Sequence, residues 1–181
     1  MHNFLKIYYF IDKFNRQEII KLDPNIALIY RNYSKNFDLE LIRKIKGLCK
    51  KQSREFYISN NLKIALKLNL DGLYLPAFRK NLNYKNITLR KNFKIIGSAH
   101  NIPELKIKEN QGCETIFISP MFKTNKNNYF LDVNKFNFIA KNSRKKIAAL
   151  GGINSSNIKR INLTKGVAIA SITWIKKNRP K

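Results

Sequence analysis

Small and polar residues follow apolar, β-rich runs at four places in the second half of the chain. The four segments are KIIGSAH (94–100), TIFISPMFKTNK (115–126), KIAALGGIN (146–154) and GVAIASI (166–172). A parallel α/β barrel carries its chemistry where its strands end, so these segments point to a site. Gly151 and Gly152 lack Cβ atoms, which lets backbone N–H groups approach a phosphate, although the pair could instead only permit a tight turn. His100 is a candidate proton-transfer group, because an imidazole can both accept and donate a proton.

Four similar runs come earlier in the chain, and stretches with helical spacing separate all eight. The earlier runs are KIYYFID (6–12), IALIYRNY (26–33), EFYISN (55–60) and DGLYLP (71–76). Most of the eight are continuous in Val, Ile, Leu, Tyr and Phe, which is typical of strands covered on both faces. The regular alternation of strand and helix predicts a parallel sheet.

Apolar residues at helical spacing predict the helices. One stripe spans 39–48, and Asn61 caps a short helix after the third strand. Segment 15–22 predicts only a short helix after the first strand. Two further helices are predicted, one that ends at Gly112, a natural C-cap, and one over 133–140.

Asn154 and Ser155 predict the start of a helix after the seventh strand. Both residue types are good N-caps. The N-terminus of such a helix would offer N–H donors to a phosphate bound beside the paired glycines.

These elements predict a small (β/α)8 TIM barrel formed by a single domain, 1–181. The chain has 181 residues, whereas such barrels usually need about 250, so the helices must be trimmed. A flavodoxin-like open sheet is the competing architecture. Eight strands and the double glycine at the end of the seventh favour a closed barrel.

The net charge is +25, from 36 basic and 11 acidic residues. Such a charge suits a nucleic-acid or membrane partner. It also suits an AT-rich genome, because Lys, Asn and Ile are abundant together. The basic residues are scattered without long blocks. This favours genome composition as the origin of the charge and predicts no specific nucleic-acid partner.

No apolar run approaches the roughly 18 residues of a membrane span. Cys49 and Cys113 lack metal spacing and suit the reducing cytoplasm.

The strand-end segments resemble motifs of the thiamine-phosphate synthase and TenI-like barrels. That family has I-I-G-x-S-x-H, G-P-x-F-x-T-x-[ST]-K, A-[IL]-G-G-I-[NT] and G-[VI]-A-V-x-S-[AG]-I after strands five to eight. This chain reads IIGSAH, SPMFKTNK, ALGGIN and GVAIASI. Segment 59–76 is similar to the family's N-D-R-x-D-L-A-x-x-x-x-A-D-G-V-H-L-G. The likeness covers most of the chain in the right order.

The resemblance implies a small phosphorylated substrate, a thiazole phosphate or hydroxymethylpyrimidine diphosphate, at the carboxyl mouth of the barrel. Ser98 and Arg31 match residues on the diphosphate side, and His100 is the candidate acid–base group. The implied substrate- and phosphate-binding residues are Thr124, Lys126, Gly151, Gly152, Ser171 and Ile172. Lys123 could replace or support Lys126, because the loop after strand six is one residue shorter than the family pattern.

The family's metal site is where the sequence departs most. Ser59 and Asn60 stand in place of its Asn-Asp pair, and Arg79 falls near its second acidic metal ligand. The resemblance implies Mg²⁺, which prefers carboxylate oxygens, but both carboxylates are absent. The sequence therefore predicts no bound metal, and Arg79 could supply the positive charge itself.

The resemblance implies a transferase that expels diphosphate from the pyrimidine and joins the pyrimidine to the thiazole nitrogen. The TenI-like branch instead implies isomerisation of a thiazole carboxylate phosphate. Its proton-transfer His lies where this chain has Pro120, so His100 would have to act from strand five. A catalytically inactive paralogue that binds or senses such a ligand is the main alternative, and a basic nucleic-acid-binding protein is the other. The sequence leaves the oligomeric state open.

Overall fold

The computed structural model describes residues 6–33, 37–80, 84, 87–125, 128–172 and 174–175. Its strands are β1 (Lys6–Ile11), β2 (Ile26–Tyr30), β3 (Phe56–Ser59), β4 (Gly72–Leu75), β5 (Lys94–Ala99), β6 (Thr115–Ile118), β7 (Lys146–Leu150) and β8 (Ala168–Ser171). All eight pair in parallel and in chain order, and β8 also pairs with β1. This closure confirms the predicted TIM barrel and excludes the open, flavodoxin-like sheet.

Within the described residues, five α-helices lie between the strands. They are α1 (Arg16–Ile20), α2 (Leu39–Lys51), α3 (Leu62–Lys67), α4 (Ile102–Asn110) and α5 (Asp132–Ala140). The first four each begin after an Asn or Asp whose side chain accepts the N–H of the residue three positions on, a standard N-cap. These caps are Asn15, Asp38, Asn61 and Asn101. None of the described helices has the length and apolar character needed to cross a membrane.

A helix follows β7 as predicted, but it begins at Ile158 and not at Asn154 or Ser155. It is a short 3₁₀ helix, Ile158–Leu163. The Asn154 Oδ1 atom accepts the N–H groups of Ser156 and Asn157 and so closes a turn ahead of the helix. This side-chain turn occupies the residues where the helix was predicted to begin.

Each strand is shorter than the segment that predicted it. β2 ends at Tyr30, whereas its segment runs to Tyr33. β6 ends at Ile118, two residues before Pro120, which has no N–H to donate. No helix occurs among the described residues between β4 and β5.

Aromatic side chains fill the inside of the barrel. The inner cluster contains Tyr8, Phe10, Tyr57, Tyr74 and Phe117, with alanines contributed by β2, β7 and β8. The rings meet edge to face, with centroids 4.9 Å apart for Tyr8 and Phe117 and 5.1 Å apart for Phe10 and Tyr74. Such pairs add stabilisation beyond the area that they bury.

A second core lies between the strands and the helices and is built mainly of Ile and Leu. Cys49 and Cys113 are buried in it as free thiols. Burial raises the pKa of each thiol to about 12, so both behave as small apolar residues.

Candidate active site at the carboxyl mouth of the barrel

A cavity of about 690 Å³ opens where five strands end. Its wall comes from the segments after β2, β4, β5, β6 and β7 and from the first turn of α4. The lining residues are Arg31, Tyr33, Tyr74, Pro76, Ala77, Phe78, Lys80, Ser98, His100, Glu104, Ser119 and Leu150. Three residues singled out from the sequence therefore share one cavity: Arg31, Ser98 and His100.

Arg31 follows β2 and is held by Asp12, the residue after β1. Its Nε and Nη2 atoms donate to the two carboxylate oxygens at 2.7 and 2.9 Å, a bidentate pair. Its Cζ atom lies 5.6 Å from the centroid of the Phe10 ring, which supports the guanidinium from the barrel interior. These contacts fix the plane of the guanidinium, and the two N–H bonds of Nη1 remain as further donors for a ligand.

Ser98 lies at the end of β5 and is oriented from inside the barrel. The buried Tyr74 hydroxyl donates to Ser98 Oγ at 2.9 Å. Burial raises the pKa of Tyr74 well above its ordinary value, so the phenol keeps its proton. With its oxygen accepting from Tyr74, the Ser98 hydroxyl can turn its own hydrogen towards a ligand oxygen.

His100 is exposed at the mouth, and its ring is tied to the end of β6. Its Nδ1 atom lies 2.7 Å from the Ser119 carbonyl oxygen. A carbonyl only accepts, so Nδ1 carries the hydrogen and Nε2 of the neutral ring is an acceptor. His100 thus links the end of strand five to the end of strand six.

Glu104 is a mouth residue that the sequence reading missed. It belongs to α4, and its Oε2 atom accepts the His100 backbone N–H at 2.8 Å while its Oε1 atom lies 4.0 Å from Lys80 Nζ. It stands three residues after the N-cap Asn101, the acidic position of a capping box, and that spacing was the available signal.

Two exposed aromatic side chains at the mouth were also missed. The rings of Tyr33 and Phe78 meet edge to face with centroids 5.5 Å apart. Phe78 is 60% and Tyr33 51% exposed, and both line the cavity. Tyr33 ends the predicted second run and Phe78 follows the fourth, but the signal used for a site was small and polar residues at strand ends, which leaves aromatic side chains out.

The paired glycines after β7 are required by local packing. Gly151 and Gly152 have φ of +93° and +71°, a region that side chains rarely tolerate. A Cβ atom on Gly152 would lie 2.3 Å from the Phe122 carbonyl oxygen, and one on Gly151 would lie 3.2 Å from Pro120 Cα. Close approach of the β6–α5 loop therefore accounts for both glycines, and neither lines the 690 Å³ cavity.

The other described residues predicted to bind phosphate do not line that cavity. Thr124 is half-buried and Lys123 is exposed, both in the β6–α5 loop, and Lys126 lies outside the described residues. Ser171 is buried at the end of β8, where its Oγ atom accepts the Trp174 N–H at 3.2 Å. Ile172 packs against the barrel interior.

The residues at the metal positions do not fit Mg²⁺. The buried Oδ1 atom of Asn60 has no hydrogen-bond partner among the described residues, but it is a neutral oxygen. Ser59 Oγ is also neutral, buried and without a hydrogen-bond partner among the described residues. Arg79 is exposed and brings positive charge. Within the described part of the chain, no three His, Cys, Asp or Glu side chains come together as a metal site.

Comparison with known proteins places the chain in a family. The thiamine monophosphate synthase family profile matches residues 21–175. A thiamine-phosphate synthase of Prochlorococcus marinus strain AS9601 is 34% identical over 172 residues, which are 88% of this chain and 48% of that relative. The chain belongs to the thiamine monophosphate synthase family. It thus spans about half the length of this relative.

Members closer in size to this chain are also similar to it. A thiamine-phosphate synthase of Methanococcus maripaludis is 26% identical over 178 residues, which are 92% of this chain and 86% of the relative. Among solved structures, thiamine phosphate pyrophosphorylase from Pyrococcus furiosus superposes with a TM-score of 0.72 at 19% identity, covering 94% and 87% of the two chains.

The fold by itself does not identify the chemistry. FabK from Thermotoga maritima superposes almost as well, with a TM-score of 0.71 at 13% identity, covering 94% of this chain and 59% of FabK. The barrel therefore supports many activities, and the family assignment rests on the sequence matches.

Proposed function

We propose that the carboxyl mouth binds the two phosphorylated substrates of thiamine-phosphate synthesis and joins them. The observation that carries this proposal is the 690 Å³ cavity that brings Arg31, Lys80, Ser98 and His100 together in a member of this family. Guanidinium and ammonium groups are the usual protein partners of phosphate oxygens. The high net positive charge of the chain would add long-range attraction for such anions.

In this reaction, the bond between the pyrimidine methylene carbon and the diphosphate oxygen breaks, and its electron pair leaves with the diphosphate. The thiazole nitrogen then supplies the electron pair for the new carbon–nitrogen bond. Charge grows on the departing oxygen, so donors aimed there lower the barrier. We assign that task to the Nη1 donors of Arg31, the Ser98 hydroxyl and the Lys80 ammonium, since all three residues line one cavity.

The family normally depends on Mg²⁺, and we propose that this chain has lost the site. The oxygens of Ser59 and Asn60 are neutral and Arg79 is cationic, so cations of the chain would take over charge neutralisation. We further propose that the chain is one domain, since the family profile spans most of it. The buried free thiols are compatible with the cytoplasm, where we place the protein.

A second function, ligand binding without turnover, is favoured by the same neutral metal positions. A paralogue of this kind would sense a thiamine precursor.

Isomerisation of a thiazole carboxylate phosphate is supported by a different observation, namely the contact between His100 and the end of β6. In that reaction His100 Nε2 would move the proton.

The deciding experiment is a product assay with hydroxymethylpyrimidine diphosphate and thiazole phosphate, run with Mg²⁺ and with EDTA. Chromatography would measure thiamine phosphate, and calorimetry would measure binding of each substrate. Product formed at similar rates in EDTA supports cation-assisted synthesis. Strict Mg²⁺ dependence would contradict the proposed loss of the metal. Tight binding with no product under either condition would identify the sensor, and absence of binding would refute the proposed site.

A further inference from the structure

A lysine is completely buried beside the mouth, and the proposed reaction does not use it. Lys108 of α4 has no exposed surface. Buried lysines are rare, because removing an ammonium from water is costly unless its donors are satisfied. The partners of the Lys108 ammonium therefore show which part of the mouth this lysine contacts.

The Lys108 ammonium has three donors, and three oxygens receive them. Its Nζ atom lies 2.7 Å from the Pro76 carbonyl oxygen, 2.8 Å from the Arg79 carbonyl oxygen and 3.0 Å from Gln111 Oε1. None of the three acceptors is a carboxylate, so the partners of this cation are dipoles of the backbone and of one amide. Burial lowers the pKa of Lys108 to about 8, which still leaves the amine mainly protonated at pH 7.

Both carbonyl groups belong to one turn of the loop after β4. The Arg79 N–H donates to the Pro76 carbonyl oxygen at 3.0 Å and closes this turn. Gln111, three residues after Lys108, donates from Nε2 to the Arg79 carbonyl oxygen at 2.7 Å. The two side chains therefore hold both ends of the turn from the same face of α4.

The position of Lys108 depends on a glycine in β5. A Cβ atom on Gly97 would lie 2.9 Å from Lys108 Cδ and 2.8 Å from Cys113 Sγ. The lysine stem thus crosses the strand where a side chain is missing. This geometry gives a local reason for Gly97, the glycine of the IIGSAH segment.

The turn carries part of the proposed site. Ala77 and Phe78 lie within it and Lys80 follows it, and all three line the mouth cavity. We infer that Lys108 is a positioning residue, an internal cation that holds the β4–β5 loop in place at a mouth whose residues do not fit a metal. This inference rests on the hydrogen-bond geometry and does not depend on which reaction the mouth performs.

Amide hydrogen exchange of the ligand-free protein, followed by NMR, tests the inference. In Lys108→Met, the exchange of the Arg79 amide should rise at least tenfold, because its turn loses both anchors from the ammonium. The amide of Phe117 in β6 reports on the core and should change far less. Lys106→Met is the matched control, because Lys106 is on the same helix but donates to Glu109 and to the Asn142 carbonyl oxygen instead.

Two results would overturn the inference. One is unchanged exchange at Arg79 in Lys108→Met, and the other is a parallel rise at Arg79 and Phe117, which is the mark of general destabilisation. Should Lys108→Met fail to fold, Gln111→Leu applies the same test, because it keeps the lysine but removes one acceptor and the second donor to the Arg79 carbonyl oxygen. A rise of about threefold confined to the turn is expected, and an unchanged turn would refute the assignment.

Discussion

The two ends of the barrel use charge in opposite ways. The carboxyl mouth has a cavity of about 690 Å³ lined by Arg31, Lys80 and His100, with Glu104 as the carboxylate in its wall. The amino end has a cavity of about 280 Å³, lined by Glu55, Asp71, Lys91, Asn92, Lys94 and Glu114. The chain has only 11 acidic residues, so placing three around one small cavity concentrates negative charge at that end.

The carboxylates of the amino end are largely occupied by partners within the protein. Glu55 accepts from Lys94 Nζ at 2.7 Å, from Tyr57 Oη at 2.7 Å and from Lys6 Nζ at 3.0 Å. Asp71 Oδ2 accepts the Phe56 N–H at 2.9 Å. The carboxylates at the amino end therefore join neighbouring strands. The charged side chains at the mouth instead line a cavity that a ligand could enter. The contrast predicts that substitutions at the amino end change stability and that substitutions at the mouth change ligand affinity.

The largest expected change in stability comes from a glycine next to the mouth. It is therefore an exception to the division between stability at the amino end and ligand affinity at the mouth. Gly152→Ala should lower the free energy of unfolding by about 3 kcal/mol, because φ is positive and the new Cβ would meet the Phe122 backbone. Urea denaturation would measure this. Gly47→Ala is the matched control: nothing lies within 4 Å of its Cβ position in α2, so it should stabilise by about 0.5–1 kcal/mol. A loss below 1 kcal/mol at Gly152 would contradict the packing argument.

Arg31 should show the opposite behaviour. Arg31→Met should weaken binding of inorganic pyrophosphate roughly 10- to 100-fold, because it removes a charge-assisted donor set from the cavity. The melting temperature should change little, since the lost pair with Asp12 is partly exposed. Calorimetry on the variant and on Arg43→Met, whose exposed parent residue lies on α2, would separate a local contact from general attraction. Equal losses in both variants would show that only net charge matters.

Glu55 should affect stability and not affinity. Hydrogen bonds from Lys94, Tyr57 and Lys6 outweigh the opposing effect of burial and lower the pKa of Glu55 to about 2. A carboxylate whose folded pKa is depressed stabilises the protein above its unfolded pKa, near 4.3, and loses that contribution as pH falls towards 2. We expect about 1–2 kcal/mol after allowance for solvent screening.

The pH dependence of urea denaturation for the parent protein and Glu55→Gln would check this. The variant should lose the part of the slope between pH 5 and pH 2 that Glu55 contributes, and it should bind pyrophosphate as the parent does. The exposed Glu114, from the same cavity, provides the comparison, and Glu114→Gln should change stability by less than about 0.5 kcal/mol. Equal slopes for the parent and Glu55→Gln would refute the role of Glu55 in joining the strands.

Strand order and barrel closure were predictable because both depend on local pattern. Continuous apolar runs and the Asn and Asp caps, such as Asn61, are read from a few neighbouring residues. The helix after β7 begins later than predicted for an equally local reason, because the Asn154 side chain, which can cap a helix, here closes a turn ahead of it. A single-residue preference does not decide between these two outcomes.

Residues of the mouth could be predicted only where a polar or charged side chain directly follows a predicted strand. Arg31, Ser98 and His100 satisfy that condition and line the cavity. The pairing of Asp12 with Arg31 and the contact between Tyr33 and Phe78 join residues far apart in the chain, and no spacing rule connects them. Lys108 reads as an ordinary surface lysine in a helix, and only the missing side chain of Gly97 lets it turn inwards.

The edge-to-face rings of Tyr8, Phe10, Tyr57, Tyr74 and Phe117 fill the barrel between the two cavities. Packed side chains therefore separate the cavity at the mouth from the cavity at the amino end. Residues at the mouth can therefore change in evolution without altering the ion pairs and hydrogen bonds that join the strands at the amino end. A double variant of Arg31 and Glu55 should accordingly show the sum of its two separate effects.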